Sequence, residues 1–179
     1  MPNWCSNKVK VSGPKKSLDT FKATLNTPNS NGDVDTFSFH QTVPMPPECH
    51  RGNLSMEDEI KYPLNWMSFG LSMWGCKWDC SDVKVEVKPK SVEVWFDTPW
   101  SPPMAWLENA SKKFPDLTFE IAYCEQGMAF YGTAEAINGE VSDACQDFPE
   151  GTFADDDSGD LKRGPVKSHI TKYKIGMGG

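Results

Sequence analysis

Residues 82–97 read Asp-Val-Lys-Val-Glu-Val-Lys-Pro-Lys-Ser-Val-Glu-Val-Trp-Phe-Asp, and they decide the fold. Val83, Val85 and Val87 alternate with charged residues, Pro89-Lys90-Ser91 turns the chain, and Val92, Val94 and Phe96 alternate with Glu93, Trp95 and Asp97. A two-residue period sends one side of each strand to a core and the other to water, so the stretch predicts an antiparallel hairpin. Its apolar face needs a cover.

Both flanks offer one. Downstream, Ser101 stands as a cap before Pro102, with Met104, Leu107, Ala110 and Phe114 at helical spacing, Lys112 and Lys113 in the last turn, and Pro115 beyond. Upstream, Lys8-Val9-Lys10-Val11-Ser12 alternates as a strand, and after Gly13-Pro14 a helix carries Leu18, Phe21 and Leu25 until Asn26-Thr27-Pro28 stops it. Past the second helix, Leu117, Phe119, Ile121 and Tyr123 alternate. After Glu125-Gln126-Gly127 a further strand runs through Met128, Phe130 and Gly132.

Between these parts, Asn29 to Asp35 has loop composition, and Phe37, Phe39, Gln41 and Val43 alternate as a second strand that Pro44, Pro46 and Pro47 end. An insertion over about 44–82 follows. Within it, Ser55 and Asp58 have capping-box spacing before Pro63 interrupts. A second helix from Pro63 would turn Leu64, Met67, Leu71 and Trp74 inward and close at Gly75. From Asn138 the pattern weakens into an acidic run, Asp155 to Asp160, and a basic segment with Lys162, Arg163, Lys167, Lys172 and Lys174. This tail predicts an added strand around Ser168 to Ile175 or a mobile arm.

The order strand, helix, strand, insertion, hairpin, helix, hairpin folds most simply as an α+β protein. The expected architecture is a ferredoxin-like antiparallel sheet with two helices on one face, a helical insertion between strands two and three, and a C-terminal extension. Residues 1–135 form the ferredoxin-like domain in this reading, and 136–179 the extension. The helix-covered face takes Val9, Val11, Val92, Val94, Phe96, Phe119 and Ile121.

The net charge of -7 disfavours nonspecific coating of nucleic acid and suits a basic patch on a protein partner. No run of 18 apolar residues exists, and Met1 to Ser6 lacks the basic and apolar regions of a signal peptide, so a cytoplasmic protein is expected. Cys5, Cys49, Cys76, Cys80, Cys124 and Cys145 are then reduced thiols.

Several strings carry a resemblance: Met1-Pro2-Asn3-Trp4-Cys5-Ser6-Asn7, Val43-Pro44-Met45-Pro46, Asn65-Trp66, Trp74-Gly75-Cys76-Lys77-Trp78-Asp79, Phe96-Asp97-Thr98-Pro99-Trp100-Ser101-Pro102-Pro103, and Phe114-Pro115 through Tyr123 to Met128. Their order resembles the YubB-type family, proteins with a ferredoxin-like domain found on phage genomes and conjugative plasmids, over residues 1 to 135. The resemblance implies that fold and a mobile-element origin. Cys76 departs from a Gly-Thr-Lys pattern, and no catalytic residue carries over.

Chemistry-bearing groups are sparse. Cys76 and Cys80, with Cys49 or His50, have zinc-like spacing, but buried thiols explain them as well, so no cofactor or metal is expected. His40, His50 and His169 are the possible bases for a nucleophile, and His40 reads as an exposed strand residue. No Gly-x-Ser-x-Gly, His-Glu-x-x-His or phosphate-binding loop is present. Asp79, Glu93, Asp97, Glu120 and Glu125 could hold a divalent cation for phosphodiester cleavage, or stand as a solvated face. Trp95 and Tyr131 on the open sheet could stack bases. Trp66, Trp74 and Trp78 in the insertion, with Trp95, Trp100 and Trp106 near the second helix, could line one pocket or one adhesive surface.

The expected function is a noncatalytic phage- or plasmid-encoded protein that engages a host protein or complex, as a counter-defence inhibitor of a nuclease or immune complex. The expected binding surface is Trp78, Glu93, Trp95, Asp97, Trp100, Glu120 and Tyr131. Nucleic-acid or nucleotide binding by the open sheet face is the alternative, and a metal-dependent nuclease the second.

Overall fold

The computed structural model describes residues 3–29, 32, 36–153 and 160–176. Most of the acidic run at Asp155 and part of the loop after Asn29 lie outside these residues. The hairpin that anchors the reading is β2 (Ser81–Val87) with β3 (Ser91–Pro99), antiparallel with Val85 opposite Val94. β1 (Trp4–Ser12) pairs antiparallel with β3 on one side and β4 (Thr118–Glu125) on the other, placing Val9 between Val94 and Ile121. β5 (Phe130–Ile137) and β6 (Glu140–Asp147) extend the sheet to the order β2-β3-β1-β4-β5-β6. The first four strands have the split β-α-β arrangement of a ferredoxin-like fold, and the whole is α+β.

The helices α1 (Lys15–Lys22) and α5 (Met104–Lys113) cover one face, as the apolar spacing predicts. Phe21 of α1 meets Phe119 at a centroid distance of 5.7 Å, and Trp106 of α5 meets the same ring at 6.0 Å. The residues predicted for that face, Val9, Val11, Val92, Val94, Phe96, Phe119 and Ile121, are all buried there. Ser101 is not the cap of α5; Pro103 precedes the helix, and Ser101 Oγ donates instead to Gly75 O.

Three readings need correction. Residues 37–43 form no strand: Ser38 starts a short helix, α2 (Phe39–Thr42), with Ser38 N–H donating to Gln41 Oε1 at 3.1 Å. Phe37, Phe39 and Val43 all enter one core, so their alternation reflects a buried turn rather than a pleated ribbon. The insertion therefore belongs to the long crossover from β1 to β2. Inside it, α3 (Met56–Lys61) keeps the Ser55–Asp58 capping box, and α4 (Trp66–Phe69) starts at Asn65, whose Oδ1 accepts from Met67 and Ser68 N–H.

The second correction concerns the stripe after Pro63. α4 runs on into a wider π-type turn over Gly70–Trp74, which shifts the inward face to Phe69, Gly70 and Trp74 and leaves Leu64 and Leu71 exposed. A Cβ at Gly70 would lie 2.7 Å from Lys77 O and 2.8 Å from Cys76 O, so glycine lets this turn rest on the segment carrying Lys77.

The third concerns the tail. Residues 168–175 belong to no strand; α6 (Pro165–Tyr173) is a helix, and it packs on the sheet face opposite α1 and α5. Val166 and Ile170 bury against Cys124 and Tyr131 in a small second core, with Trp95 and Phe148 at its margin.

Candidate functional site

The residues predicted as a binding surface fall into two places. Glu93, Trp95, Asp97, Glu120 and Tyr131 do share the face opposite the main core, but α6 lies across it. Trp95 Nε1–H donates to Tyr173 O at 3.3 Å, and Tyr131, buried, meets the His169 ring at 5.0 Å. Aromatic surface that could stack bases is thus already in contact with this chain's own helix.

The carboxylates on that face are also engaged. Glu93 accepts from Lys88 at 2.6 Å and pairs with Lys8 at 2.9 Å; burial opposes its charge, but these two ammonium groups hold it below the usual range. Glu120 pairs with Lys10 at 2.6 Å. Burial raises the Asp97 carboxyl, with Ser6 hydrogen bonding against the shift and Asp82 adding to it. Among the described residues, no three His, Cys, Asp or Glu side chains gather as a metal site.

His169 ties α6 down: its Nε2 lies 3.1 Å from Tyr123 O and donates to it. Burial lowers its pKa, the bond to Tyr123 opposes this, and Lys172 adds to the lowering. The unfolded chain therefore takes up a proton near the ordinary value of 6.5 that the folded one refuses, so this contribution to stability is whole above that value and lost as pH falls below it. Amide exchange in α6, corrected for its intrinsic rate, should be faster at about pH 5.5 than at about pH 7.5, and His169→Gln should flatten that difference. Equal protection of α6 at both pH values in the unsubstituted protein would contradict it.

The cysteines and remaining histidines are restrained in similar ways. All six cysteines are free thiols. Burial pushes the Cys76 and Cys80 thiols well up, with Asp79 adding to both, and takes Cys124 to about 12. Such thiols are poor nucleophiles and poor metal ligands. His40 lies in α2, not on a strand, and its Nδ1 accepts from Met45 N–H at 3.0 Å. The His50 ring stacks on Tyr62 at 4.0 Å.

Trp78 and Trp100 lie elsewhere, and here the structure gathers an uncommon group. Trp78 and Trp100 meet edge to face at 5.6 Å, and Trp4 joins Trp78 at 6.5 Å. The Lys77 ammonium stands 5.6 Å from the Trp78 ring and 5.9 Å from both Trp66 and Trp100. Trp4 and Trp100 remain 40% and 41% exposed, large values for rings of that size. Trp100 holds φ at 64°, a left-handed conformation that is strained for a bulky residue, with its N–H donating to Asn3 O at 2.9 Å.

Behind Trp78 opens a cavity of about 410 Å3, lined by Trp66, Trp74 and Trp78 together with Lys77, Arg51, Asp79 and Ser38. Asp79 is occupied by backbone: its carboxylate accepts from Phe39 N–H at 2.7 Å, Cys80 N–H at 2.9 Å and His40 N–H at 3.3 Å. Ser38 Oγ, on a residue only 2% exposed, has no hydrogen-bond partner, and neither has the buried Ser81 Oγ. Sequence reading found the tryptophans but not Lys77, Arg51 or Ser38. Lys77, between the tryptophans at 74 and 78, is the available signal.

Residues 73–160 match the family model described as the ferredoxin-like domain in Api92-like protein. The matched stretch takes in β2 to β6 and α5, together with Lys77, Trp78 and Trp100 of the tryptophan group. The chain is also similar to the crystal structure of a protein api92 from Yersinia pseudotuberculosis, with a TM-score of 0.53 and 10% identity, over 86% of this chain and 100% of that one. At that identity the likeness concerns the fold alone. No curated protein matches the chain. Among the described residues, no helix is long and apolar enough to cross a membrane.

Proposed function

We propose that the chain is a noncatalytic binding protein that grips a protein partner with the patch of Trp4, Trp78 and Trp100. The observation that carries this reading is Trp100, a tryptophan kept at positive φ and left 41% exposed beside two others. Backbone strain of about 1–3 kcal/mol persists where the surroundings enforce it, and tryptophan is the side chain most enriched at the energetic centre of interfaces. The raised thiols of Cys76, Cys80 and Cys124 and the engaged rings of His40 and His169 support a role without covalent chemistry.

In this reading the gene is carried by a phage or plasmid and the partner is a host protein. A defence nuclease is the class whose chemistry fits, because its nucleic-acid groove is basic and this chain carries a net charge of -7. Capture from host-cell lysate should retain a nucleic-acid-binding protein, and Trp100→Ala should weaken that retention by about 2 kcal/mol, roughly 30-fold. Retention unchanged by the substitution, or oligonucleotide binding with no protein retained, would overturn the proposal.

A further inference from the structure

The cavity behind Trp78 combines three features that a packed core does not need. Its walls are indole rings, from Trp66, Trp74 and Trp78. It holds the Lys77 ammonium at those rings, in a protein whose net charge is -7. It also contains the Ser38 hydroxyl, deeply buried and without a partner. A buried polar group left unpaired costs free energy unless something supplies its bond.

The Lys77 charge has no counter-charge among the described residues. Among the described residues the Lys77 side chain makes no ion pair or hydrogen bond, and its ammonium stands 5.6–5.9 Å from three indole rings. Asp79 spends its carboxylate on the three backbone N–H groups of Phe39, His40 and Cys80 and forms no ion pair with the lysine. Arg51 donates to Met45 O at 3.5 Å. An anion entering beside Lys77 would gain a charge-assisted bond and meet a carboxylate already satisfied by donors.

We infer that this cavity binds a small planar phosphate ester, with its ring against the indoles and its phosphate at Lys77. A volume of about 410 Å3 lies within the span of about 300–1,000 Å3 typical of small-molecule sites, and it suits a mononucleotide better than a bare ion. The ring accounts for the indole walls, the phosphate for the uncompensated ammonium, and a phosphate or ribose oxygen for the Ser38 hydroxyl. The site shares Trp78 with the proposed protein-binding patch but needs no protein partner, so the two readings fail in different experiments.

The test is a titration of the full chain with AMP, GMP, CMP and UMP, read by tryptophan fluorescence and by calorimetry. Adenosine, inorganic phosphate and a single-stranded oligonucleotide are the comparison arms. At least one monophosphate should bind saturably and about tenfold or more tighter than either its nucleoside or phosphate alone. Lys77→Met, which keeps the stem and removes the charge, should weaken it by about tenfold or more. Ser38→Ala should weaken it by about tenfold. Monophosphates that bind no tighter than nucleoside or phosphate, affinity indifferent to Lys77→Met, or binding confined to the oligonucleotide would each overturn the assignment. Unchanged capture of a protein partner by Lys77→Met would leave the function proposed above standing by itself.

Discussion

Trp106→Ala should cost about 3–5 kcal/mol, a large part of the 5–15 kcal/mol that holds a domain of this kind together. The indole is 0% exposed and sits at the junction of the sheet, α5 and the crossover, against Phe37 at 5.6 Å, Phe39 at 5.1 Å and Phe119 at 6.0 Å. Its Nε1–H donates to Thr42 Oγ1 at 2.7 Å, so truncation removes apolar contact and a buried hydrogen bond together. Trp106→Phe separates the two: it keeps a ring but leaves Thr42 without its donor, and should cost about 1–3 kcal/mol. The shift in urea midpoint at constant slope measures both. A loss under about 1 kcal/mol for the alanine variant would mean that this junction is not a centre of stability.

Asp79→Ala ranks next. The three N–H groups that end on its carboxylate come from both α2 and the start of the segment leading into β2, so the side chain joins the crossover to the sheet. Removing the acceptor leaves these donors unpaired, at an expected cost of about 3 kcal/mol or more, while Asp79→Asn retains one acceptor oxygen and should lose less. The two variants also differ with pH. Burial raises the Asp79 carboxyl above its ordinary 3.8, against the pull of the backbone donors. Between that value and the raised one the folded chain holds a proton that the unfolded chain has released. The contribution of this group is therefore greatest below the ordinary value and declines as pH rises through the window. Urea midpoints of the unsubstituted protein minus those of Asp79→Asn should fall from about pH 3.5 towards neutrality; a rise would contradict the burial argument.

Where a segment has one dry face and one wet face, the sequence displays it, and β3, α5 and β4 were legible for that reason. The misread parts each break this condition. Phe37, Phe39 and Val43 all bury, so alternation over a few residues mimicked a strand while the Ser38–Gln41 pairing, a helix-start pattern, was passed over. Every residue of β6 is exposed, so it has no apolar period to find, and its one signal was the Asn138-Gly139 turn, with φ of 49° and 85° at those residues, typical of a tight hairpin. α6 had Val166, Ile170 and Tyr173 at helical spacing, but its basic residues suggested an arm. Without α6, the sheet face it covers reads as open. The tryptophan group was half visible: residue type pointed to Trp78 and Trp100, but only folding brings Arg51, Ser38 and Lys77 around one cavity.

The placement of β1 bears on how the chain is made. Of the six strands of this sheet it is synthesised earliest, yet both of its neighbours come much later, Val9 waiting for Val94 and then Ile121. The nascent polypeptide must therefore carry an unpaired, valine-bearing ribbon until β3 and β4 have emerged, the situation in which chaperones are engaged and aggregation competes.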